Sequence, residues 1–257
     1  MIPKLEVKDL SYSYHSMDGE TKALSNISFS VSAGEFLAVV GPSGCGKSTL
    51  LSLICGLLKA SEGSVLIDGK PMETGDSRIG YMLQKDHLFE WRTIFSNACL
   101  GLEIQRNLDE EGRERVRRLL ETYGLEDFAD ARPSELSGGM RQRAALIRTL
   151  ALEPDILLLD EPFSALDYQT RLAVCDDIST IIREQKKTAI LVTHDLSEAV
   201  SAADRILILT KRPGRVKDTI TIKFPDNAGS PLLRRNCPEF SSYFNEVWKV
   251  LREGGAS

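Results

Sequence analysis

The stretch VVGPSGCGKSTLLSLICGL, residues 39–57, passes from an apolar segment through Gly41, Gly44 and Gly46 and one lysine, Lys47, into a second apolar segment. The approach, residues 36–40, is apolar throughout and reads as a buried strand, and the exit, residues 48–58, spaces its apolar residues as a helix does. The loop therefore joins a strand to a helix. Its glycines admit backbone conformations that side chains forbid, so successive N–H groups can turn inward around an anion. The positive end of the following helix adds to that attraction. The expected ligand is a phosphate chain.

Residues 41–48 fit the pattern G-x-x-x-x-G-K-[ST], with Pro42, Ser43 and Cys45 at variable positions, and so resemble a Walker A loop. In such a loop Lys47 reaches the β and γ phosphates and Ser48 places its hydroxyl on Mg²⁺. Cys45 reads as a small tolerated residue inside the loop, since a catalytic thiol would need a histidine partner. The other cysteines, at positions 55, 99, 175 and 237, show no C-x-x-C spacing and predict neither a zinc site nor a disulfide framework.

The chain has 257 residues, enough for one large α/β domain or a domain with a subdomain. A net charge of −5 argues against a protein whose main task is coating nucleic acid. Apolar runs such as ILLL and AILVT are of core-strand length, and MIPKLEVKDL has no apolar signal-peptide core, so a soluble, cytoplasmic chain is expected.

Strand-like segments at residues 5–7, 27–31, 36–40 and 65–67, separated by turn signals, give the first part a β-rich character. Between about residues 86 and 154 the pattern turns helical, which predicts a helical insertion. DILLLDEP and TAILVTHD then flank a helical stretch and read as parallel strands of a doubly wound core, with RILILT as another strand.

ILLLDEP puts Asp160 and Glu161 directly after a buried strand, at the carboxyl edge where open α/β sheets bind ligands. An aspartate there can hold Mg²⁺ through water, and the neighbouring Glu161 points elsewhere, as a general base for an attacking water must. His194 ends TAILVTHD at a comparable edge, where it could donate to a γ-phosphate. In LSGGMRQR, residues 136–143, Ser137 is placed to cap the following helix. Gly138 and Gly139 let N–H groups face an anion, a second phosphate cradle without a lysine. Two half-sites for one triphosphate predict two copies facing head to tail, each cradle closing on the phosphate loop of the other.

With these motifs in this order, the sequence resembles the ATP-binding subunit of an ABC transporter over nearly its whole length. The resemblance implies a P-loop NTPase (RecA-like) α/β core with an antiparallel β subdomain and an inserted α-helical subdomain. Residues 1–220 would form the nucleotide-binding domain and 221–257 a short C-terminal extension. It implies that Tyr14 in LSYSY stacks on adenine, with Tyr12 as the competing choice, and that Thr49 contacts the α-phosphate. Gln84 in YMLQKD would touch Mg²⁺ and the attacking water; residues 164–167, SALD, ending in Asp167, would line the dimer seam; His194 would be the switch histidine. No motif is degenerate, so an active ATPase is expected.

Residues 88–105, LFEWRTIFSNACLGLEIQ, and 211–225, KRPGRVKDTITIKFP, resemble subunits of nitrate, sulfonate and taurine importers, although Glu90 stands where those commonly have proline. The partners implied are integral membrane permease subunits and, through them, a solute-binding protein, with the chain peripheral on the inner face of the cell membrane. The apolar Leu88, Phe89 and Trp91 after Gln84 would, if exposed, receive a permease helix. Phe240, Tyr243, Phe244, Val247 and Trp248 have helical spacing and read as a terminal helix folded back on the core. The competing functions are the ATPase of a lipid or lipoprotein extrusion system and a non-transport ABC protein. The latter usually carries two cassettes or a long coiled coil, neither of which this sequence contains.

Overall fold

The computed structural model describes residues 2–17, 19–225 and 228–253. In chain order the strands are β1 Leu5–Ser16, β2 Gly19–Val31, β3 Phe36–Val40, β4 Glu62–Ile67, β5 Lys70–Pro71, β6 Ile79–Met82, β7 Ile156–Asp160, β8 Thr188–Val192, β9 Arg205–Leu209 and β10 Val216–Thr221. The helices are α1 Lys47–Ile54, α2 Ile94–Ile104, α3 Glu110–Thr122, α4 Gly138–Leu150, α5 Tyr168–Glu184, α6 Leu196–Ala202, α7 Pro231–Arg234 and α8 Pro238–Glu253. The chain divides into two units, Ser77–Ile178 and the remainder.

The first unit, formed by the remainder, holds two kinds of sheet because it holds two kinds of sequence. FLAVV and TAILV are buried at every position, as strands covered on both faces must be, and β3 pairs in parallel with both β8 and β9. β10 adds an antiparallel edge to β9; its polar VKDTIT is tolerated because an edge strand is half exposed. The antiparallel sheet runs β2-β1-β4-β5, and here exposed polar residues, among them the whole start of β2, are mixed with buried apolar ones. Polar residues pair as far as His15 with Glu20, so β1 and β2 extend well beyond the short apolar cores expected for them. α1 ends at Ile54, short of the expected residue 58, because Gly56 takes φ 75°. α8 does fold back: Val247 is fully buried, and the Tyr243 hydroxyl accepts from the Lys223 N–H at 3.2 Å.

One backbone contact fixes the antiparallel sheet. β1 changes register beyond Lys8 where Asp9 takes φ 49°, and Gly63 of β4 fills the space opposite with φ 85°. A Cβ on Gly63 would lie 2.3 Å from the Lys8 carbonyl oxygen. Gly63→Ala is therefore expected to destabilise the fold by about 2–4 kcal/mol, since both a left-handed backbone and a backbone clash oppose it. A urea unfolding midpoint equal to that of the wild type would contradict this.

In the second unit β6 pairs in parallel with β7, which is ILLLD and buried throughout. α2, α3 and α4 pack together beside them, each begun by a residue that suits a helix start: Thr93 accepts from Ser96 N–H, Asp109 from Gly112 N–H and Ser137 from Met140 N–H. β6 escapes a reading of the sequence because it is short and interrupted by Gly80. A Cβ on Gly80 would approach Thr149 Cγ2 to 2.6 Å, so the glycine is required by packing against α4.

Candidate functional site

In the first unit β3 delivers the chain into residues 41–46, and α1 begins at Lys47. Gly44 and Gly46 take φ 71° and 104°, the left-handed conformations that let the loop wrap. Lys47 is buried, and its Nζ donates to the carbonyls of Gly41 at 3.0 Å and Pro42 at 3.2 Å, so the side chain is folded back over the loop. Ser43, Gly44 and Ser48 are exposed on the same feature. The Cys45 thiol packs inside; burial raises its pKa against the opposing charge of Lys47, which suits a small core residue and not a nucleophile.

The Tyr14 hydroxyl lies 3.0 Å from the Thr49 hydroxyl, tying the aromatic to the first turn of α1. The Tyr14 ring is 44% exposed, and Tyr12 meets it edge-on at 4.9 Å and 88°. Of the two tyrosines, Tyr14 is the one joined to the phosphate loop. His194 follows β8, and the Thr193 N–H donates to the Val39 carbonyl at 3.3 Å, so His194 and Gly41 leave neighbouring strands at the same carboxyl edge. The turn is stiff: the Thr193 hydroxyl donates to Glu198 Oε2 at 2.5 Å, and Asp195 accepts from the Ser197 and Glu198 N–H groups at the start of α6.

In the second unit Asp160 ends β7 in a buried position and accepts from the Tyr81 hydroxyl of β6 at 3.1 Å. Glu161 takes φ 44°, rare for a residue with a side chain. Gln84 Nε2 lies 3.4 Å from Glu161 Oε2 and 3.3 Å from Ser164 Oγ, while the Ser164 hydroxyl donates to the Glu161 carbonyl at 3.0 Å. Gln84, Glu161 and Ser164 thus form one polar group at the carboxyl edge of β6 and β7. Asp167 accepts from the Thr170 N–H at 3.1 Å, and the hydrogen bonds from Thr170 hold its carboxyl below the usual aspartate value.

Ser137 caps α4, its Oγ accepting from the Met140 N–H at 3.3 Å, and Gly138 and Gly139 are its first helical residues. Packing gives a further reason for glycine at these two positions. Neither takes a left-handed conformation; Cβ atoms there would meet Leu166 Cδ2 at 3.0 Å and Thr170 Cγ2 at 2.9 Å. Close approach of residues 166–174 favours glycine there, and the N–H groups at the start of α4 are those any helix leaves without intrahelical partners.

Several positions carry weight without a motif. Arg148 donates to the carbonyls of Asp86 and His87 at 2.6 and 2.7 Å, and Arg141 pairs with the Asp86 carboxylate at 3.2 Å. Their spacing, one residue in seven along α4, puts both on one helix face that grips the chain just beyond Gln84. Burial lowers the Arg148 pKa, and Asp86 opposes that shift. Asn97, fully buried, donates to the carbonyls of Phe89, Arg92 and Thr93 and accepts from the Phe89 N–H at 2.7 Å. An asparagine within the apolar IFSNACL was the available signal. Of the three apolar residues in this segment, Leu88 is buried, while Trp91 is 72% exposed and stacked on Phe89 at 4.6 Å.

Comparison with known proteins follows the same lines. The family described as ABC transporter matches residues 24–164. An uncharacterized ABC transporter ATP-binding protein of Bacillus subtilis is 46% identical over 96% of this chain and 95% of its own length. The nitrate import ATP-binding protein NrtD of Synechocystis is 38% identical over 96% of this chain and 95% of its own. The aliphatic sulfonates import ATP-binding protein SsuB of Bacillus cereus is 38% identical over 98% and 97%. Among solved structures, the dimeric post-hydrolysis ATP-binding cassette MJ0796 bound to ADP and Pi is similar with a TM-score of 0.74 and 32% identity, covering 86% of this chain and all of that one. With its glycine-wrapped loop, its acidic strand end and this similarity along most of its length, the chain belongs to the ABC transporter family and is an ATP-binding, ATP-hydrolysing subunit of the P-loop NTPase fold.

Proposed function

We propose that the chain powers import of a small solute, of the nitrate and sulfonate kind, through separate integral membrane permease subunits supplied by a solute-binding protein. The observation that carries this reading is Trp91, 72% exposed and stacked on Phe89 in a segment that begins at the catalytic-edge residue Gln84. An exposed tryptophan on a fixed loop fits a docking anchor better than an ornament of the surface. The likeness to import ATP-binding proteins over nearly the whole chain supports the direction of transport. Among the described residues no helix is long and apolar enough to cross a membrane. The subunit would then sit peripherally on the inner face of the cell membrane.

Within the subunit the roles follow chemistry. The backbone N–H groups of Ser43, Gly44, Cys45 and Gly46 surround the phosphates, Gly41 and Pro42 shape the turn that opens the loop, Lys47 neutralises the β and γ charges, Thr49 meets the α-phosphate and Tyr14 stacks on adenine. Ser48, Gln84 and Asp160 offer a hydroxyl, an amide oxygen and a carboxylate, all hard oxygen donors that suit Mg²⁺. When bound, Mg²⁺ would neutralise charge that develops on the phosphates. Glu161 takes the proton of the attacking water and His194 donates to the γ-phosphate. Ser137, Gly138, Gly139 and Asp167 would serve the nucleotide held by a second copy, head to tail. The nucleotide-binding domain would span residues 1–220, with the helical insertion at about 86–154 and a C-terminal extension from 221.

Purification of the chain from detergent-solubilised native membranes tests the proposal. An integral membrane protein should copurify in fixed ratio and stimulate ATP hydrolysis; recovery with ribosomes or DNA would overturn it. Trp91→Ala should leave hydrolysis by the free subunit within about twofold and cut transport by the assembled complex at least about tenfold. Normal transport by that variant would remove Trp91 from the docking surface.

A further inference from the structure

The turn between β9 and β10, residues 210–215, carries no nucleotide motif, and none of the roles above uses it. It nevertheless lies against the phosphate loop. A Cβ on Gly214 would stand 2.3 Å from the Cys45 carbonyl oxygen, too close for any side chain. The Gly214 N–H donates to the Ala23 carbonyl at 2.8 Å, and its carbonyl accepts from the Ser25 N–H at 2.9 Å. The turn is closed from within as well: the Thr210 N–H donates to the Arg215 carbonyl at 2.9 Å, and the Thr210 hydroxyl accepts from the Arg215 N–H at 3.0 Å. Its backbone is therefore held in register with the loop on one side and β2 on the other.

From this fixed turn Arg212 reaches toward the loop. Its Nη2 lies 3.6 Å from the point a Cβ on Gly44 would occupy, at the exposed crest of the phosphate loop. Among the described residues Arg212 makes no hydrogen bond or ion pair. Other arginines of this protein are engaged: Arg141 with Asp86, Arg183 with Asp204, Arg205 with Glu35. Lys211, Arg215 and Lys217 share the turn and its exit, opposed there by Asp218, on a chain whose net charge is −5. A guanidinium offers five donors in a planar fork that matches phosphate oxygens, and it stays charged at every working pH.

We propose that Arg212 is a further phosphate-binding residue of the nucleotide site, its guanidinium closing the crest of the loop beside Gly44. This rests on the reading of residues 41–49 as the ATP site and adds a cation that the motif does not contain. Because Arg212 acts through charge, its contribution should grow with the number of phosphates and fall with salt.

The test is nucleotide binding by the full chain, measured by titration calorimetry with ATP, ADP and adenosine, for the wild type, Arg212→Ala, Arg212→Lys and Lys47→Ala. Arg212→Ala should weaken ATP binding about tenfold, equivalent to about 1.4 kcal/mol, weaken ADP less and leave adenosine unchanged. Arg212→Lys should recover to within about threefold of the wild type, and raising the salt should narrow the gap between wild type and Arg212→Ala. Affinities of Arg212→Ala within twofold of the wild type, or an equal loss for ATP and adenosine, would overturn the proposal, the second by showing a distorted loop and not a lost charge. Lys47→Ala separates the two readings. If it binds ATP as the wild type does, the site reading fails; if it binds weakly while Arg212→Ala binds normally, only the role of Arg212 fails.

Discussion

Glu161→Gln is expected to bind ATP with unchanged affinity and to lose steady-state hydrolysis by about two orders of magnitude or more. Glutamine keeps the shape of the side chain and can still accept from Gln84 Nε2, which stands 3.4 Å from Glu161 Oε2, so the polar group at the edge of β6 and β7 should persist. What it cannot do is take a proton from water. The left-handed backbone of Glu161, φ 44°, also survives, since both residues meet the same backbone cost. Lys47→Ala should fail in a different manner, through weakened phosphate binding. Steady-state rates of Glu161→Gln within tenfold of the wild type would remove Glu161 from the proton-accepting role.

In that same Glu161→Gln background, ATP should convert a monomer of 28.5 kDa into a species of twice that mass, and Ser137→Arg should abolish the conversion. The physical reason is linkage: a nucleotide that needs a loop from one copy and a helix start from the other stabilises the pair by its own binding energy. Ser137 is exposed at the start of α4, and in the proposed head-to-tail pair an arginine there would occupy the space the partner's γ-phosphate needs. Loss of the cap costs the helix about 1 kcal/mol. Ser137→Ala, which loses the cap without adding bulk, is therefore the companion variant and should retain most dimerisation. Light scattering that finds the same mass with and without ATP would overturn the head-to-tail pairing for the free subunit.

Much of this could be read from the sequence, for reasons that differ from place to place. Strands such as FLAVV, ILLLD and TAILV are buried on both faces, so composition alone marks them. The phosphate loop was legible because its glycines, lysine and hydroxyl fall in one short fixed pattern, although Gly41 and Gly46 also answer to Leu209 and Leu24 packed against them. Where the cause lay in a distant contact, sequence was silent. Gly138 and Gly139 read as anion-facing glycines, and the added packing constraint from Leu166, Thr170 and Val174 shows only in the fold. The hydrogen bond of Arg148 to the Asp86 carbonyl and the close approach of Gly214 to the Cys45 carbonyl join segments far apart in the chain, and no local pattern marks either. β6 and β10 were missed because a short strand with a glycine and a polar edge strand both lack the apolar run that makes the others plain.

The hydrogen bonds of the Asn97 side chain have a consequence for association. A loop that is disordered until its partner arrives must surrender backbone freedom on binding, at roughly 1–2 kcal/mol per residue. Residues 89–93 have surrendered it already, because the Asn97 side chain satisfies the carbonyls of Phe89, Arg92 and Thr93 and the N–H of Phe89 from inside α2. The Trp91 ring, stacked on Phe89, has little rotational entropy left to lose. A partner meeting this surface would thus keep nearly all the energy of burying the indole as net affinity, and could release it quickly without waiting for a loop to refold.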